Sequence, residues 1–225
     1  TIIAFILFSL TASAVYIFND WLDIREDREH PVKKHRPLAS GAVSPRSALL
    51  IMGALLIIAL SGAFLFELQL LAVIGLYLLL NIAYSIRLKH YSLVDIFIIT
   101  LGFILRIFAG AVVIGNRPSM WLILLTFLLA LFLALAKRRD DVILAGNGAK
   151  TRRIIAAYNL EFLNASLAIM AAVTIVSYIF YCISPEVEAR FQNVNLYFTV
   201  FFVIMGIMRY LQLTLVYGKS GDPTK

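Results

Sequence analysis

Seven apolar stretches, near 2–18, 47–65, 68–86, 94–115, 119–136, 156–183 and 194–217, take up most of this 225-residue chain. Each comes close to the roughly 20 residues that carry a helix across the hydrocarbon core of a bilayer. With 61% hydrophobic residues and a mean hydropathy of +0.90, the chain is too apolar for a soluble domain. The predicted fold is all-α, a polytopic transmembrane helical bundle forming one domain over 1–225. Only Phe66 and Glu67 separate the second and third stretches, which implies an antiparallel hairpin. The sixth is longer than a bilayer requires and is expected to tilt, kink or protrude.

Seven spans place alternate connections on opposite sides, and the basic residues decide which side is which. One set holds Arg25, Arg28, Lys33, Lys34, Arg36 and Arg46; Arg87 and Lys89; Lys137, Arg138, Arg139, Lys150, Arg152 and Arg153; then Lys219 and Lys225. The other holds Arg117 and Arg190. Short loops rich in Lys and Arg stay in the cytoplasm, so the first set is predicted to be cytoplasmic, in a plasma (inner) membrane protein. The net charge of +7 is read as basic loops beside anionic lipid; no aromatic-interleaved basic platform suggests nucleic acid. The lone Cys182 excludes a disulfide framework and a cysteine metal site.

The first span runs into an acidic pattern, NDxxDxxxD, with Asp20, Asp23 and Asp27. On a helix at about 100° per residue these three acids fall within roughly a 60° sector. A hard cation such as Mg²⁺ would relieve their mutual repulsion, since it takes carboxylate oxygens and keeps positions for water and substrate phosphate. The plainer reading is a solvated helix end. Lys33, Lys34 and Arg36 follow before the turn Pro37–Gly41, and acids followed by bases is the order of a metal-bound anion site. Arg36 is expected to grip phosphate as a fork and the lysines as point charges. His30 is read as a solvated loop residue.

Two further connections carry polar groups. Asn81, Tyr84 and Ser85 share one side of the third span ahead of Arg87, Lys89 and His90, and either line a polar cavity or mark the membrane boundary. Lys137, Arg138 and Arg139 after the fifth span suit a stop-transfer cluster, whereas the paired Asp140 and Asp141 suggest a second face of a metal-diphosphate site. Asp95 and Arg106 share a helical face about 16 Å apart, too far for a direct pair. Arg106, well inside the membrane, is expected to meet a polar cavity or a partner.

The span ending in NDWLDIREDREHP, the following RPLASG, and a second charged motif at the end of a later span resemble the UbiA superfamily of intramembrane prenyltransferases. Within it, DREHP, KKHRPLASG, LKH at Leu88–His90, KRRDD and the ending SGDPT are similar to the decaprenyl-phosphate phosphoribosyltransferase branch. The resemblance implies about nine helices around a lipid-accessible cavity, of which this chain lacks the first and last. One departure stands out: Leu144 and Ala145 follow Asp140 and Asp141 where many prenyl-diphosphate users carry a later acid. That suits a phosphoribosyl donor better than a prenyl one.

The implied reaction moves 5-phosphoribose from phosphoribosyl diphosphate to a polyprenyl (decaprenyl) phosphate, with diphosphate leaving. Asn19, Asp20, Asp23 and Asp27 would hold Mg²⁺, with Asp140 and Asp141 in support. Lys34, Arg36, Lys137 and Arg138 would take the donor phosphates, and Lys89 with Tyr84 the acceptor phosphate. The bilayer and the two substrates are the expected partners; homo-oligomerisation is left open. The competing readings are a prenyltransferase acting on an aromatic acceptor and, more remotely, a transporter, which would place its polar site near the midplane among broken helices.

Overall fold

The computed structural model describes residues 1–30, 32–146, 153–191 and 195–218. Lys150, Arg152, Lys219 and the ending 220–225, used above for topology and resemblance, lie outside the described residues. In chain order the helices are α1 (Ile2–Leu22), α2 (Ile24–Glu29), α3 (Pro37–Ser40), α4 (Pro45–Phe66), α5 (Leu68–Ile86), α6 (Val94–Ile114), α7 (Met120–Gly146), α8 (Leu160–Ile183), α9 (Pro185–Phe191) and α10 (Phe198–Leu215). Seven of them, α1, α4, α5, α6, α7, α8 and α10, are long and apolar enough to cross a membrane, and no strand occurs among the described residues. The protein is an integral, multi-pass membrane protein built from α-helices.

Local chemistry sets the helix limits. Ser44 caps α4 by accepting the Ser47 N–H at 3.1 Å, with Pro45 at the first helical position. Asn159 caps α8 by accepting the Phe162 N–H at 2.7 Å. Only Glu67, in an extended conformation, separates α4 from α5, so the expected hairpin is present with a connection one residue shorter. The fifth span differs more. A helix expected to end near 136 continues to Gly146, because Ala, Lys, Arg and Leu all favour helix and no breaker intervenes before the glycine. The sixth begins at Leu160, with Arg153–Ala157 forming a separate 3₁₀ turn before it.

The helices group into two compact units, one holding the helices within Thr1–Pro118 and the other those from Ser119 onward. In the first, α1 packs on α4, α5 and α6 around Leu7, Phe8, Leu70, Ile74, Tyr77 and Leu105. Gly62 permits the close approach of α4 to α1, since a Cβ there would stand 2.7 Å from Leu7 Cδ2. In the second unit α8 packs against α7 and α10, with Leu163 and Leu167 fully buried. Outward-facing leucines, isoleucines and phenylalanines remain exposed on both units, as suits surfaces solvated by lipid tails.

Candidate functional site

The acidic run lies where α1 hands over to α2. Asp23 leaves ideal helix geometry (φ −93°, ψ 7°), yet the i to i−4 bonding continues through it: Asp23 N–H donates to Asn19 O at 3.0 Å and Asp27 N–H to Asp23 O at 2.8 Å. The helical bonding therefore continues through the bend, and Asp20 and Asp27 converge on one partner while Asp23 meets another. They are not left to solvent, as the plainer reading had it, for Asp23 and Asp27 are each only 3% exposed.

Two bases from different connections meet these acids. Arg36 Nη1 lies 2.6 Å from Asp20 Oδ1 and 2.9 Å from Asp27 Oδ2, bridging both carboxylates. Its backbone is extended, as a residue before proline prefers, and Pro37 then opens α3. Arg28 Nε donates to Ala39 O at 3.1 Å, tying α2 to α3, while Gly41 ends α3 at φ +83°, a conformation open to glycine at little cost. His30 is half-buried rather than solvated, and its Nδ1 accepts the Val32 and Lys33 N–H groups at 3.2 and 3.3 Å. Lys34 is exposed.

The second base is Lys89, which the sequence reading set aside for an acceptor phosphate. Its Nζ is buried against Asp23 Oδ1, with the two side chains 5% and 4% exposed. Removing both from water is tolerable because each neutralises the other. Lys89 rides on the 3₁₀ turn Leu88–His90, and Leu93 just beyond it holds φ +66°, a strained value for a branched side chain. Tyr84 is half-buried, Asn81 Nδ2 donates to Tyr77 O within its own helix at 2.8 Å, and the buried Ser85 Oγ has no hydrogen-bond partner among the described residues.

No three His, Cys, Asp or Glu side chains among the described residues are arranged around a single metal position. The expected set of three carboxylates plus an amide is thus rearranged, with Asp23 turned onto Lys89. The remainder still suits a hard cation. Asp20 and Asp27 already converge on one positive nitrogen, and the neighbouring Asn19 Oδ1 is buried with no hydrogen-bond partner among the described residues. One or two carboxylates completed by substrate phosphate oxygens is the usual protein share of a Mg²⁺ site.

Arg106, in the same unit, meets partners rather than a polar cavity. Its guanidinium lies over the rings of Phe8, Tyr77 and Phe103 at 5.4, 5.4 and 5.0 Å, with a long contact of 3.4 Å to Tyr77 Oη. A mainly apolar cavity of about 250 Å³ adjoins it, lined by Ala4, Phe5, Phe8 and Ala109 among others. The rings and the adjoining α1 face meet the charge by cation–π attraction. Asp95 is buried at the start of α6.

In the second unit the charged segment forms part of helix α7. Lys137 is exposed, while Arg138 Nη1 pairs with Asp141 Oδ2 at 2.6 Å, one turn along. Asp140 is half-buried. Arg139, which the sequence reading left among stop-transfer bases, is buried: Nε donates to Asn164 Oδ1 at 2.8 Å and Nη1 to Thr214 O at 2.6 Å. It joins α7 to α8 and meets a carbonyl at the end of α10 that has no partner within its helix.

A family model, the UbiA prenyltransferase family, matches residues 1–222. The chain belongs to that family. Among UbiA relatives, the decaprenyl-phosphate phosphoribosyltransferase of Corynebacterium glutamicum is 35% identical over 78% of this chain and 54% of its own length, and that of Mycobacterium tuberculosis 34% identical over 78% and 58%. The chain thus spans little more than half the length of these curated relatives. A 4-hydroxybenzoate octaprenyltransferase of Xylella fastidiosa is 36% identical over 66% of the chain and 50% of its own. A UbiA homolog from Archaeoglobus fulgidus, solved bound to GPP and Mg²⁺, superposes with a TM-score of 0.73 at 19% identity, covering 100% of this chain and 77% of that one. The shared fold is that of a UbiA membrane helical bundle.

Within the UbiA frame, the sequence placed the acids but missed how they are held. Arg36 stands 16 and 9 residues from its partners and Lys89 stands 66 from Asp23. Only the lone acidic run beside a basic turn hinted at the first pair; nothing local signalled the second, nor the burial of Arg139.

Proposed function

We propose that this chain carries out transfer of 5-phosphoribose from phosphoribosyl diphosphate to a polyprenyl phosphate, releasing diphosphate, at the cytoplasmic face of the plasma membrane and as one UbiA-type domain. The observation that carries the proposal is the Arg36-bridged pair Asp20 and Asp27 beside the buried Asn19 oxygen, which has no hydrogen-bond partner among the described residues, where the apolar α1 ends. The relatives named for decaprenyl-phosphate phosphoribosyl transfer, and Leu144 and Ala145 standing where the later acid of a second DxxxD would be, support a phosphoribosyl donor.

Asp20, Asp27 and Asn19 would hold Mg²⁺, which when bound neutralises charge growing on the departing diphosphate. Asp23, its charge offset by Lys89, orients the Asn19 amide, whose Nδ2 lies 3.4 Å from Asp23 Oδ2. Arg36 and Lys34 contact donor phosphate oxygens. Tyr84 orients the acceptor. An acceptor phosphate oxygen bonds to the anomeric carbon as the bond from that carbon to diphosphate breaks; the acceptor is already anionic, so no strong base is required. Apolar helix faces hold the isoprenoid.

The test is purified protein given labelled phosphoribosyl diphosphate with polyprenyl phosphate, and in parallel labelled prenyl diphosphate with 4-hydroxybenzoate. Labelled lipid from the first pair is expected. Product from the second pair alone would replace this reading with aromatic prenylation, as in the Xylella relative.

A further inference from the structure

We infer that Arg36 is a resident cation: it occupies the position between Asp20 and Asp27 in the free protein and must vacate it for the metal, so that metal and diphosphate enter together. The inference rests on the metal-diphosphate reading above and adds an order to it.

The argument starts from charge. Asp20, Asp23 and Asp27 with Arg36 and Lys89 sum to one negative charge, so the free site is almost neutralised by the chain's own bases. A bare divalent ion gains little there. It has to compete with a guanidinium nitrogen 2.6 and 2.9 Å from the oxygens it needs, and if it enters while Arg36 stays, two positive groups share the same carboxylates. When diphosphate accompanies the ion, the guanidinium has a better partner, because its fork matches phosphate oxygens. The exchange conserves ion pairing: each Arg36–carboxylate contact is replaced by a metal–carboxylate contact and an Arg36–phosphate contact.

Exposure shows which base can move. Arg36 is 36% exposed at the side chain and Asp20 24%, against 5% and 4% for Lys89 and Asp23. Arg36 also sits between a short 3₁₀ turn and the four-residue α3, so its side chain can swing without disturbing a membrane helix. Lys89 is enclosed and stays. The two pairs look alike in sequence terms, but only one is releasable.

Reciprocity follows: if diphosphate helps the metal by removing Arg36, the metal helps diphosphate by the same factor, typically about 5–150-fold for coupled sites. The experiment is Mn²⁺ binding to the full purified chain in detergent, followed by electron paramagnetic resonance with and without inorganic pyrophosphate. The wild-type protein is expected to bind Mn²⁺ weakly alone and about tenfold or more tightly with pyrophosphate. Arg36→Gln should tighten binding of Mn²⁺ alone and shrink the pyrophosphate effect toward none. Arg36→Lys, which keeps the charge without the fork, should fall between them and serves where the glutamine variant does not fold. If both substitutions leave Mn²⁺ binding alone as weak as in the wild type, with the pyrophosphate effect intact, the resident-cation role is wrong. Failure of the metal reading looks different: wild-type protein would bind no Mn²⁺ even with pyrophosphate, or Asp20→Asn with Asp27→Asn would leave binding unchanged, and the inference would fall with it.

Discussion

The protein carries two charged segments at the ends of apolar helices, and they are held together in opposite ways. At 19–36 the acids find their bases across loops, Asp20 and Asp27 on Arg36 and Asp23 on Lys89. At 137–141 the ion pair closes within one helical turn, Arg138 to Asp141, and Arg139 reaches outward to Asn164 and Thr214. The first segment is therefore a cluster whose charges depend on tertiary contacts, while the second is a rigid helix end that carries its own pair. A cluster gathered from separate loops can exchange partners with a ligand; a pair set in register by a helix is less free to do so.

The sharpest break of this contrast is Asp23→Asn. It leaves Lys89 charged and enclosed, and removal of one partner of a buried pair costs about 3–5 kcal/mol. Thermal unfolding in detergent should show a large loss, much of it restored by adding Lys89→Met; an unchanged midpoint would mean that the pair is open to water. Next comes Asp27→Asn, expected to lower phosphoribosyl transfer by about 10²–10³-fold, in the range for loss of one transition-state electrostatic contact, while the protein still inserts in the membrane. Radiolabelled transfer assays check it, and near-normal rates would remove Asp27 from the metal set. Arg139→Ala should then cost about 2 kcal/mol by stranding the Asn164 amide and the Thr214 carbonyl. If it costs nothing, the α7–α8–α10 junction is held by apolar packing alone. Smallest is Asp141→Asn, about 1 kcal/mol, since Asp141 keeps some solvent and the pair is local. A loss matching that of Asp23→Asn would erase the distinction between the two segments.

The spans were legible because lipid imposes a length and a composition on any helix that crosses it, and both appear in consecutive residues. The acids at Asp20, Asp23 and Asp27 were legible because helical phase maps spacing onto direction, and the helical bonding continues through the bend at Asp23. The extent of α7 was underestimated because hydropathy falls at Lys137 although helix propensity does not. The burial of Lys89 against Asp23 was not legible for a different reason. A lysine after a membrane helix looks the same whether it points to solvent or to a carboxylate 66 residues away.

By itself, the sequence determined that this is a helical membrane protein with acids and bases massed at the ends of its spans, since periodicity, hydropathy and charge are local properties. Tertiary structure alone decided which acid meets which base, which pair is sealed from water, and which remains free to exchange. Those outcomes depend on distance and desolvation between segments remote in the chain, and neither quantity is written in local spacing.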